Sequence, residues 1–130
     1  MNQKVPFSIE FDIHASPQLL YQYFSTPSGL SEWFADNVNS RGELFTFIWD
    51  DSEETAKMIK SKANQFARFQ WEEDESSGDE YFFEFKIQVD DITKDVSLII
   101  SDFAEEDEVE ESKMLWDNSI ASLKHILGAT

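Results

Sequence analysis

The chain has 130 residues, enough for one domain with a sizeable core, and the single-domain reading runs over residues 1–130. Its 27 acidic residues against 10 basic ones leave a net charge of −17, which repels phosphate backbones and anionic lipid surfaces and excludes nucleic acid as a partner. Cysteine is absent, Met1–Pro6 lacks a signal-peptide layout, and no apolar run approaches the ~20 residues of a membrane span, so the expectation is a soluble cytoplasmic protein without disulfides or thiolate metal sites.

The first element is an alternating strand, with Phe7, Ile9, Phe11 and Ile13 on one face and Ser8, Glu10, Asp12 and His14 on the other. Ser16-Pro17 then supplies an N-cap followed by a proline at the first helical position, and Leu19, Leu20, Tyr23 and Phe24 form an apolar helical face. Thr26-Pro27 repeats the signal ahead of Leu30, Trp33 and Phe34. A polar loop with Arg41-Gly42 follows, with Val38 in a brief edge strand, and Leu44 to Trp49 is a continuous run expected to be buried on both sides or to line a cavity.

Asp50 to Glu54 predicts an acidic turn, and the lysines around Met58-Ile59 break parity in a way that predicts a bulge or twist. Phe69 and Trp71 share one face of the next strand. Glu73 to Glu80, with Ser76-Ser77-Gly78, predicts a flexible hairpin connection. Tyr81, Phe83, Phe85, Ile87 and Val89 then alternate cleanly, and Val96, Leu98 and Ile100 begin a last strand, so the order is an antiparallel meander. Val109, Trp116, Ile120, Leu123 and Leu127 mark a closing helix of some 20 residues, ~30 Å long. The carboxylates of Glu105 to Glu111 complement the positive end of its dipole, Lys124 and His125 the negative end, and Gly128 is the expected cap.

No residue set specifies a reaction. The acidic clusters lack the ligand spacing and turn glycine of a calcium loop, the two histidines stand apart from any second ligand type, and no nucleophile motif or phosphate loop occurs. No catalytic residue, metal or cofactor is therefore expected. Asp102 shares parity with Val96, Leu98 and Ile100, and its first reading is a strand-end carboxylate that reaches water or caps the coming helix. The aromatic residues are the open question. Four Trp, three Tyr and twelve Phe are either plain core or the walls of a cavity.

Ile13-His14-Ala15-Ser16-Pro17 through Leu20-Tyr21, then Thr26-Pro27, Leu30 and Trp33-Phe34, resembles the N-terminal signature of the START-like (SRPBCC) superfamily. More narrowly it is similar to the branch of activator of heat-shock-protein ATPase homologues. Leu115-Trp116 with Ile120, Leu123, Lys124 and Leu127 resembles the helix that closes that fold. The resemblance implies an α+β helix-grip architecture: a strand, two short helices, an antiparallel meander, and a long C-terminal helix packed across the curved sheet around an apolar cavity. Members bind lipids, sterols, polyketides and other hydrophobic molecules; some are cyclases and some act on chaperones. The single glycine near Arg41-Gly42 departs from the glycine-rich turn common in relatives.

Three functions follow, in order. The first is non-enzymatic binding of a small hydrophobic ligand, with Trp33, Phe34, Phe47, Trp49, Phe69, Trp71, Phe83, Phe85, Trp116 and Ile120 as the expected cavity lining. The second is an acidic interaction or co-chaperone module with a basic protein partner. A cyclase-like enzyme comes last, because no acid–base pair stands out.

Overall fold

The computed structural model describes residues 3–128; Met1, Asn2, Ala129 and Thr130, which the single-domain reading includes, lie outside the described residues. The elements are β1 (Lys4–Asp12), α1 (Pro17–Ser25), α2 (Pro27–Trp33), β2 (Asn37–Arg41), β3 (Leu44–Trp49), β4 (Ser52–Lys62), β5 (Phe66–Trp71), α3 (Glu72–Ser76), β6 (Phe83–Val89), β7 (Val96–Glu105) and, after a turn of 3₁₀ helix, α4 (Val109–Leu127). The strands form one curved antiparallel sheet in the order β1-β7-β6-β5-β4-β3-β2. The fold is α+β, with the long C-terminal helix and the two short ones supplying the second layer.

Both proline-headed helices start as their sequences dictate. The Ser16 hydroxyl accepts from the Leu19 amide at 3.1 Å, and the Thr26 hydroxyl accepts from the Gly29 amide at 3.0 Å, each with proline at the first helical position. The two helices then meet closely. A Cβ at Gly29 would run into the Gln22 carbonyl oxygen, so only glycine lets α2 turn back against α1. That turn carries Leu30 and Trp33 into the core, where the Trp33 indole N–H donates to the Tyr23 carbonyl at 2.7 Å. At the other end of the chain, Gly128 caps α4 in the left-handed conformation with φ 67°, and Lys124 and His125 lie in the last turn.

One sheet face is covered and the other meets solvent, and this decides several strand details. In β3 Phe45 and Phe47 are buried while Leu44 is 42% exposed. The run is therefore buried on one side only, because the helices cover a single face of an antiparallel sheet. The register of β4 against β5 slips between Met58 and Lys60, where the sequence predicts a bulge or twist, so Met58 pairs with Phe69, Lys60 with Arg68, and Ile59 is left exposed.

Ser52 to Glu54 of the expected acidic turn already belong to β4, and two further segments depart from expectation. The acidic connection after Trp71 is the short helix α3, closed by Ser77 donating to the Glu73 carbonyl, and not a flexible hairpin loop. Four carboxylates in its first turn favour the positive end of a helix dipole. Strand β6 starts at Phe83, because the β5–β6 ladder ends at Phe69 and Phe83. Tyr81 and Phe82 instead pack their rings on Phe103 on the outer face.

Candidate functional site

The expected cavity between helix and sheet is largely occupied by aromatic rings. Phe47, Phe69, Phe83 and Phe85 are 0–1% exposed. Phe69 stacks on Phe83 with centroids 5.2 Å apart, and Phe85 stacks on Phe24 of α1 at 5.3 Å. Trp33 meets Phe85 edge-on, and Ile120 of α4 is buried beside them in the same cluster. These six of the ten expected lining residues form a packed core.

The other four come together at the edge of that core. Phe34 follows α2, Trp49 ends β3, Trp71 ends β5, and Trp116 sits on the second turn of α4. With Asp102 of β7 and Ser112, Leu115 and Ser119 of α4, they line a cleft of about 300 Å³ that opens to solvent. This volume is at the lower end of ligand sites, ~300–1,000 Å³. Phe34 is the hinge between core and cleft: it stacks on Trp116 at 5.7 Å and on Phe83 at 6.0 Å, and meets Trp49 edge-on at 5.7 Å. The wall is held by polar anchors, since the Trp49 indole N–H donates to the Phe34 carbonyl at 2.9 Å. Leu115, 61% exposed, stands at the rim with Met114, 64% exposed, next to it.

Asp102 is the residue that its sequence position undersold. It neither reaches freely into water nor caps the helix. Its Oδ2 accepts from the Trp116 indole N–H at 3.0 Å, and its Oδ1 accepts from the Phe103 amide at 2.7 Å. Burial pushes its pKa above the ordinary carboxylate value; the hydrogen bonds from Trp116 and Phe103, and the charge of Lys4, oppose that shift. The parity of Val96, Leu98 and Ile100 was the available signal, because it puts Asp102 on the helix-covered face. The serines, half-buried at four residues before and three after Trp116, and the exposed Leu115 carried no such signal, since they flank the apolar stripe of α4.

Two other features carry less chemistry. A broad groove of about 900 Å³ on the outer sheet face includes Arg68, Tyr81, Phe82 and Phe103. Its guanidinium is already committed, with Nη2 at 2.9 Å from Glu84 and the group 4.3 Å from the Phe82 ring centre. Glu105, Asp107 and Glu108 bring carboxylate oxygens within 4.8 Å of one another at the entry to α4. The hydrogen bond and like charge of Glu105 raise the Glu108 pKa.

A sequence model of the START-like superfamily domain matches residues 1–129, and the chain belongs to that superfamily, whose members commonly bind hydrophobic ligands. Among solved structures, a Bacteroides fragilis protein (BfR322) is 34% identical with a TM-score of 0.69, covering 98% of this chain and 93% of its own. The Aha1 dimer from Colwellia psychrerythraea has a TM-score of 0.77 at 20% identity, covering 92% of this chain and 93% of its own. Protein MLL2253 from Mesorhizobium loti has a TM-score of 0.75 at 15% identity, covering 95% and 97%. The last two show a shared fold alone. No curated protein sequence matches the chain. Among the described residues, no helix is long and apolar enough to cross a membrane.

Proposed function

We propose that this protein binds a small hydrophobic molecule, without chemistry of its own, in the cleft between α4 and the ends of β3 and β5. The observation that carries this reading is the wall of Phe34, Trp49, Trp71 and Trp116, with Leu115 at the rim, left open beside a closed aromatic core. An apolar wall exposed to water gains from being covered, by roughly 25 cal/mol per Å² of apolar surface removed from solvent. The few polar groups, Asp102, Ser112 and Ser119, suit orientation of a ligand better than catalysis, because none of them forms a nucleophile–base pair.

Three of the four tryptophans line the cleft, so binding has an intrinsic reporter. Titration with neutral N-phenyl-1-naphthylamine should give saturable energy transfer from tryptophan. Leu115→Glu, which puts a charge at the rim, should weaken that binding at least about tenfold, equivalent to ~1.4 kcal/mol. Leu44→Glu, on the outer sheet face, should leave it unchanged. Unsaturable transfer, or equal effects of the two variants, would overturn the reading.

A further inference from the structure

The cleft combines features that together select a charge. Three indoles and a phenyl ring line it, and such rings attract cations through their π-faces. Among the described residues, the one ionisable group lining it is the Asp102 carboxylate, and none of the lining residues is basic. A carboxylate has about four lone-pair positions, of which Trp116 and Phe103 take two here, so acceptor capacity remains for an occupant. The cation nearest in influence, Lys4 of β1, is drawn elsewhere: its Nζ lies 3.9 Å from Asp74 and 5.3 Å from the Tyr81 ring centre. The whole-molecule charge of −17 also concentrates cations and repels anions at any opening in the surface.

We propose that the cleft selects a hydrophobic ammonium, a protonated amine on an aromatic or alkyl body, with Asp102 as its counter-charge and Phe34, Trp49, Trp71 and Trp116 as its walls. This deepens the ligand-binding reading and rests on it. The amine N–H donates to the free lone pairs of Asp102 while the apolar body covers the indoles. Burial of Asp102 works in the same direction: it disfavours the ionised carboxylate, and a cation in direct contact adds to the opposing charge of Lys4. The negative charge of Asp74 also acts on Asp102, and a cation would offset it.

The test uses three probes with one ring system and different charge: 1-naphthylmethylamine, 1-naphthalenemethanol and 1-naphthoic acid. Calorimetric titration of the intact protein near neutral pH should rank them amine, alcohol, acid. The amine should lead the alcohol by about tenfold, the value of one charge-assisted hydrogen bond. That lead should persist at about 1 M salt, where a Debye length of ~3 Å removes attraction by the distant surface charge. Asp102→Asn keeps an acceptor for the Trp116 indole and should abolish the amine's lead over the alcohol, read as the ratio of the two affinities in the same variant.

Binding of the alcohol as tightly as the amine in the unmodified protein would overturn the ammonium assignment and leave the cleft a binding site. Loss of the amine preference at high salt would do the same. Failure of all three probes would remove the ligand-binding reading together with the assignment.

Discussion

Phe69 and Trp71 stand on the same face of the same strand, two residues apart, yet they serve different ends. Phe69 is fully buried, with Phe45, Phe47, Phe83 and Phe85 around its ring. Trp71 touches Phe47, Trp49 and Phe83 on its inner side and lines the open cleft on the other. The residue types and the alternation are alike. The difference is cover: α1 packs over β5 and β6 around Phe24, whereas α4 packs against α2, β1 and β7 and leaves the ends of β3 and β5 unroofed. Alternation tells which face of a sheet turns inward, and the path of the helices decides whether that face is sealed.

The sharpest way to break this comparison is by substitution on each side of it. Phe85→Ala should cost about 3–5 kcal/mol, as expected for a large ring removed from a core that cannot collapse onto the void. Trp71→Ala, which removes a larger side chain, should cost roughly half as much, because water already reaches one side of it. Urea unfolding at matched m-values measures both. Equal losses would show that the cleft wall is as fully packed as the core.

A smaller effect sharpens the cleft side. The Asp102 pKa in the folded chain lies above its ordinary value of 3.8, so between those two points the folded protein holds a proton that the unfolded chain has lost. Stability from this group is therefore highest at low pH and falls as the pH rises through the window above 3.8. Lys4 and Asp74 also act on Asp102, and the Asp74 pKa is itself raised, chiefly by burial, which adds a slope of the same sign. Comparing the unmodified protein with Asp102→Asn isolates the Asp102 share: the variant should show a shallower fall in unfolding midpoint across that window. Parallel pH profiles would place Asp102 outside the buried site.

The smallest expected effect concerns the surface that surrounds both regions. With a charge of −17 and Glu105, Asp107 and Glu108 crowded together, self-repulsion opposes the compact state. Raising monovalent salt from 0.01 M to 0.1 M shortens the Debye length from ~30 Å to ~10 Å, so the thermal midpoint should climb by a few degrees. A flat or falling midpoint would show that ion pairs such as Arg68–Glu84 outweigh the repulsion.

Local physical chemistry wrote most of the fold into the chain. Ser16-Pro17 and Thr26-Pro27 start their helices because a side-chain oxygen satisfies an amide that the first turn leaves free. Period-two alternation assigned the inner face of β6, and Gly128 ended α4 because only a left-handed residue closes that turn cheaply. The motifs between them carried the superfamily. What the sequence alone left open depends on long-range packing. Acidic residues after Trp71 formed a helical turn where composition suggested a loose loop, since local charge and a nearby strand end made that turn favourable. Asp102 became a buried hydrogen-bond partner because Trp116, fourteen residues away, lands over it. Tertiary structure also sorted the ten aromatic and aliphatic candidates into six that are core alone and four that line the cleft, of which Trp116 belongs to the core as well, because ring contacts and helix placement are set by the whole sheet, and no single strand records them.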